Sequence, residues 1–181
     1  MISRTGRGSN IILGGFMGTG KTSVGRRLAA RLRFEFVDLD ELIEAEAGLP
    51  IRQIFAMRGE AAFRALEREM VARMAGRRWS VIAVGGGAVV DPRNLGALRG
   101  LGVVIALSAT PEVILSRVGG GQDRPKLWGP DTRQRILQLL AERAPAYAQA
   151  DLLVDTSSRS VDEVVEHILA LLADCLPSEP E

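Results

Sequence analysis

The segment Gly15-Phe16-Met17-Gly18-Thr19-Gly20-Lys21-Thr22 constrains this chain more than any other stretch. It follows the pattern G-x-x-x-x-G-K-[ST], in which glycines let the backbone turn so tightly that successive N–H groups point at phosphate oxygens. The apolar run Asn10 to Leu13 precedes it and a helical pattern, Val24 to Leu32, follows. The spacing therefore predicts strand, loop and helix, with the positive end of the helix at the loop. In such a cradle Gly18, Thr19, Gly20 and Ser23 surround the phosphates, Lys21 reaches the β- and γ-phosphates, and the Thr22 hydroxyl holds Mg²⁺. A glycine-rich strand–helix turn with no ligand is the plain alternative.

The rest of the chain supports a strand at that position. Four more apolar runs, Phe34 to Asp38, Val81 to Val84, Val103 to Leu107 and Leu152 to Asp155, alternate with longer helical patterns. Near-continuous apolar runs suit strands buried on both faces, so the expectation is an α/β fold with a five-stranded parallel sheet. Helix starts are marked by Asp91-Pro92 and Thr110-Pro111, and by capping-box spacings at Ser160 to Glu163 and Asp131 to Gln134. The chain has 181 residues, matching one domain, with a core over about 10–172 and disordered tails expected at both ends. The stretch Gly119 to Pro130 lacks periodicity and is flanked by glycines, which predicts a mobile lid over about 116–130.

Charge is balanced, 23 Lys and Arg against 22 Asp and Glu, so neither a nucleic-acid nor a membrane partner is expected. Cys175 is the only cysteine, which excludes an internal disulfide and suits a reducing cytoplasm. Neither an Asn-Lys-x-Asp nor an Asp-x-x-Gly motif occurs, which argues against a GTPase switch. The run Val81 to Val84 passes into Gly85-Gly86-Gly87 without an aspartate, so a metal-side carboxylate must come from elsewhere, and Asp38 is the candidate. Asp38 and Asp40 close the second run as Asp-Leu-Asp. Read as strand residues i and i+2 they point to one side, one towards Mg²⁺ and one towards an acceptor hydroxyl. A solvated acidic strand end leading into an N-cap is the competing description.

With these parts in order, the sequence resembles the shikimate kinase family. The resemblance is carried by the phosphate loop, Asp38-Leu39-Asp40, Gly59-Glu60-Ala61-Ala62-Phe63-Arg64-Ala65-Leu66-Glu67, Gly85-Gly86-Gly87, Asp123-Arg124-Pro125 and Arg143-Ala144-Pro145-Ala146-Tyr147. It spans roughly Asn10 to Leu172. It implies a P-loop kinase-like three-layer α/β/α fold with strand order 2-3-1-4-5. The implied reaction is ATP-dependent phosphorylation of the 3-hydroxyl of shikimate, giving shikimate 3-phosphate in aromatic amino acid biosynthesis. ATP and Mg²⁺ are the implied cofactors, and a cytoplasmic monomer is expected.

Matched residue by residue, the resemblance makes Asp40 the partner of the acceptor hydroxyl. Arg64 and Arg143 become the carboxylate binders, the Gly86 and Gly87 backbone part of the same pocket, and Phe55 and Phe63 its apolar walls. Arg124 becomes a catalytic lid residue over the phosphates, Arg117 lies on the ATP side, and Arg159 falls near the adenine-side loop. Arginine suits the acceptor role because its planar fork gives a carboxylate two parallel hydrogen bonds. The residues alone describe Arg64 equally well as part of a solvated, salt-bridged face with Glu60, Glu67, Arg68 and Glu69. The sequence departs from the family at Lys126, where leucine is common, and at Ser157-Ser158-Arg159-Ser160, which lacks an asparagine-proline pattern. The alternatives are another small-metabolite kinase, acting on gluconate or a nucleoside monophosphate, and a catalytically silent nucleotide-binding module.

Overall fold

In the computed structural model the described residues are 9–118 and 131–173. The expected lid core, both tails, Arg124 and Lys126 lie outside them. Five strands form one parallel sheet: β1 (Asn10–Gly15), β2 (Glu35–Asp38), β3 (Ser80–Ala83), β4 (Gly102–Ser108) and β5 (Leu152–Asp155). Their order is β2-β3-β1-β4-β5, as the resemblance implied. Ile11, Ile12 and Leu13 of β1 meet β3 on one side and β4 on the other, with Ile12 opposite Ile82 and Val104.

Helices cover both faces because successive strand residues point in opposite directions. Ile11 and Leu13 pack with Val24 and Leu28 of α1 (Lys21–Leu32) and with Val164, Val165 and Ile168 of α7 (Val161–Leu172). Ile12, Ile82 and Val104 pack on the other face with α2 (Leu39–Ala47), α3 (Ile51–Arg73), α4 (Pro92–Leu101) and α6 (Thr132–Tyr147). The remaining helix, α5 (Pro111–Val118), follows β4, and a short 3₁₀ turn spans Ala88–Val90.

The caps largely follow the sequence. Ser160 and Glu163 close a reciprocal capping box at α7, and Asp91 accepts a hydrogen bond from the Arg93 amide at the start of α4. At α6 Asp131 is the N-cap, but its side chain makes no capping bond, so the expected box does not close. Asp38 and Asp40 differ from the strand reading. β2 ends at Asp38, whose carboxylate caps α2 by accepting from the Asp40 amide, and Asp40 lies in the first helical turn. Helix α3 bends at Gly59 (φ 78°, ψ 171°), a conformation that glycine adopts without steric cost.

β1 connects through α1 to one side of itself, while the β3–α4–β4 crossover passes to the other. Such a divergence opens a crevice beyond the carboxyl ends of the strands. Every candidate residue among those described converges there.

Candidate active site

The phosphate loop leaves β1 at Gly15 and enters α1 at Lys21. Gly20 is the N-cap in left-handed geometry (φ 93°, ψ 16°) and brings no capping side chain, so the first-turn amides are available to an anion. Lys21 Nζ folds back over the loop and donates to the carbonyls of Gly15 (3.0 Å) and Phe16 (3.1 Å). Thr22 Oγ1 donates to Asp38 Oδ2 at 3.0 Å. The hydroxyl and the carboxylate assigned to the metal side from sequence are therefore in contact.

Two cavities meet at Lys21 and Thr22, which line both. The first, of about 370 Å³, is bounded by Asp38, Asp40, Phe55, Phe63, Arg64, Glu67, the three glycines Gly85 to Gly87, and Arg143. The second, of about 400 Å³, is bounded by the loop from Gly18 to Ser23 and by Arg117, Thr156, Arg159, Val161 and Val164. Residues expected on an acceptor side line the first cavity, and those expected on a nucleotide side line the second.

Arg64 and Arg143 enter the first cavity from different helices. Arg143 is only 8% exposed, stacks over the Phe16 ring at 5.4 Å from its centroid, and donates to the Gly86 carbonyl at 3.3 Å. Tyr147 Oη, one turn further along α6, donates to the same carbonyl at 2.7 Å, and burial raises its phenol pKa. Arg64 Nη1 forms a forked contact with both oxygens of Glu67, at 2.9 and 2.8 Å, while Nη2 reaches Glu60 at 3.3 Å. The salt bridges foreseen for a solvated face do exist, but Glu67 is 1% exposed and Arg64 lines the cavity. A Cβ at Gly87 would collide with the Arg64 guanidinium, so glycine there makes room for the arginine. Phe55 and Phe63 stack at 4.7 Å between centroids, one on each side of the Gly59 bend, forming the apolar wall.

Asp40 lines the same cavity. A Cβ built on Gly85 would lie 2.9 Å from Asp40 Oδ1 and 3.1 Å from Glu67 Oε1, so both carboxylates crowd one glycine. Burial raises the Glu67 pKa, and the negative charge of Asp40 adds to this against the attraction of Arg64. Glu67 had no assigned role in the sequence reading. Its signal was a lone carboxylate in the otherwise apolar helical stripe Phe63, Met70, Val71 and Met74, all of which are buried.

On the nucleotide side Arg117 spends its guanidinium on the protein. Nη1 donates to the Gly18 carbonyl and to Thr156 Oγ1, each at 3.2 Å, and Nη2 donates to the Thr156 carbonyl at 3.0 Å. Arg159 Nη1 donates to the Asp155 carbonyl at 2.8 Å at the cavity rim.

A cradle for phosphates, placed between one cavity on its helix side and another with two arginines facing an aspartate, defines a P-loop phosphotransferase. Comparison with known proteins narrows the class. The family model for shikimate kinase matches residues 17–173. A shikimate kinase of Geobacter sulfurreducens is 46% identical over 167 residues, which cover 92% of each chain. The solved structure of shikimate kinase from Acinetobacter baumannii in complex with shikimate superposes with a TM-score of 0.89 at 35% identity, covering 94% of this chain and 95% of that one. A gluconokinase from Sinorhizobium meliloti shares the fold at 18% identity, with a TM-score of 0.61 and coverage of 95% and 94%. The chain belongs to the shikimate kinase family.

Proposed function

We infer that this chain transfers the γ-phosphoryl group of ATP to the 3-hydroxyl of shikimate, giving shikimate 3-phosphate. The supporting observation is the convergence of Arg64 and Arg143 on one cavity that shares Lys21 and Thr22 with the nucleotide-side cavity. An acceptor bearing a carboxylate satisfies the two guanidinium groups, and the Acinetobacter relative in complex with shikimate supports this acceptor.

In this reading Arg64 and Arg143 hold the acceptor carboxylate, and the Gly86 and Gly87 backbone with Phe55 and Phe63 bounds its ring. Asp40 accepts a hydrogen bond from the hydroxyl that receives the phosphoryl group. Lys21 and the loop amides from Gly18 to Ser23 hold the triphosphate so that its terminal phosphorus faces that hydroxyl. Thr22 and Asp38, two hard oxygen donors already in contact, would hold Mg²⁺, which neutralises phosphate charge when bound. Arg117 and Arg159 border the base and ribose. Arg124, which the family resemblance assigns to the phosphates, lies outside the described residues. In this reading the chain acts as a single-domain cytoplasmic monomer.

The test is a coupled ADP-release assay run separately with shikimate, gluconate, AMP and CMP. Turnover is expected with shikimate alone. Phosphorylation of gluconate in preference to shikimate would overturn the acceptor assignment, and tight ADP binding with no acceptor phosphorylated would favour a silent module.

A further inference from the structure

We propose that Thr156 is a positioning residue for the phosphate loop, its buried hydroxyl fixing the peptide plane whose Gly20 amide receives the nucleotide while Arg117 braces the plane before it. The proposal rests on the nucleotide-binding reading above.

Thr156 directly follows β5 and is 2% exposed. Its hydroxyl proton is shared between the carbonyls of Thr19 (3.0 Å) and Ser108 (3.1 Å), and its oxygen accepts from Arg117 Nη1. One side chain thus joins the phosphate loop to the ends of β4 and β5 and to α5.

A trans peptide is rigid and planar, with its C=O and N–H on opposite sides. Tying the Thr19 carbonyl towards β5 therefore turns the Gly20 amide away from β5, to the other side of the loop. Arg117 braces the preceding plane by holding the Gly18 carbonyl at 3.2 Å, the Thr19 amide of that plane being bonded to the Phe16 carbonyl at 3.4 Å. Gly20 needs such a tether because a glycine at φ 93° has several other conformations open to it. Thr19, itself fully buried, donates its hydroxyl to the Phe16 carbonyl at 2.7 Å, which pins the loop from within. Thr156 supplies the matching restraint from outside. An amide already aimed at an anion binds it without an ordering cost, so the latch bears on nucleotide affinity and leaves the acceptor cavity, which Thr156 does not line, untouched.

The test compares Thr156→Val, which keeps the shape and removes the hydroxyl, with Thr156→Ser, which keeps the hydroxyl. ADP affinity is measured by titration calorimetry, and KM for ATP and for shikimate by ADP release. Thr156→Val is expected to weaken ADP binding about tenfold, the effect of one buried hydrogen bond, and to raise KM for ATP similarly. KM for shikimate should stay within about twofold, and Thr156→Ser should restore ADP affinity to within about threefold. Unchanged ADP affinity in the valine variant, equal increases in both KM values, or a serine variant as weak as valine would overturn the latch. Even if the valine variant does not fold, the ligand-free wild type provides a check, since a latched loop gives one sharp Gly20 amide resonance. A doubled or exchange-broadened resonance there would overturn the proposal. Wild type that binds no ADP would remove the nucleotide reading and the latch with it.

Discussion

Arg64 meets Glu67 through Nη1 and Glu60 through Nη2 while lining the acceptor cavity, so it serves two carboxylates with the two ends of one guanidinium. A lysine at this position keeps the charge and loses the forked geometry. Arg64→Lys should therefore raise KM for shikimate about tenfold or more while leaving KM for ATP near wild type. Steady-state kinetics with each substrate varied in turn checks this, and equal effects on both would count against an acceptor-side role. Glu67 adds a dependence on pH. Its folded pKa is raised, first by burial, so the native state keeps a proton that the unfolded chain has already released. That contribution is complete below the unfolded value and disappears as pH climbs through the folded one. The melting temperature of wild type minus that of Glu67→Gln should therefore fall as pH rises from the ordinary glutamate value of about 4. A difference that stays flat across the range would show that Glu67 titrates as it does in the unfolded chain.

Among the elements, α2 shows how one carboxylate serves both fold and chemistry. Asp38 caps the helix through the Asp40 amide and touches the Thr22 hydroxyl. Asparagine caps as well as aspartate but lacks its charge, so Asp38→Asn and Asp38→Ala separate the two roles. Both should raise the Mg²⁺ concentration needed for half-maximal rate, and only alanine should also cost about 1 kcal/mol of stability. Magnesium titration and chemical denaturation measure the two effects. Equal stability of the two variants would mean that the cap contributes nothing.

The strands, the phosphate loop and the α7 capping box were legible in the sequence because each rests on neighbours within a few residues. Asp38 and Asp40 were placed at the right end of β2 for the wrong local reason. Their common direction comes from a helix start, which the Asp38-to-Glu41 spacing already marked, and not from strand alternation. Glu67 was legible only as a salt-bridge neighbour of Arg64, since its burial is not written in the spacing, and Thr156 escaped notice because its hydroxyl meets carbonyls 137 and 48 positions away. The bend at Gly59 was invisible for a similar reason, since the flanking residues on both sides are good helix formers.

Across the whole molecule, the two cavities share only Lys21 and Thr22, and in the proposed function each takes one substrate. Ligands in separate cavities should stabilise the fold separately. ADP at about one hundred times its dissociation constant should add about 2.7 kcal/mol, and shikimate at the equivalent excess a similar amount. Thermal melts should show that Lys21→Ala loses the ADP increment and Arg64→Lys loses most of the shikimate increment, each keeping the other. Loss of both increments in either variant would mean that the two cavities do not act independently.

The Gly87 contact limits how the enzyme's selectivity can be redesigned. Any side chain grafted onto that wall would strike the guanidinium and unseat the anion clamp before it narrowed the chamber. A mutant library seeking smaller or differently shaped acids should therefore leave the glycine triplet alone and diversify the aromatic pair at Phe55 and Phe63.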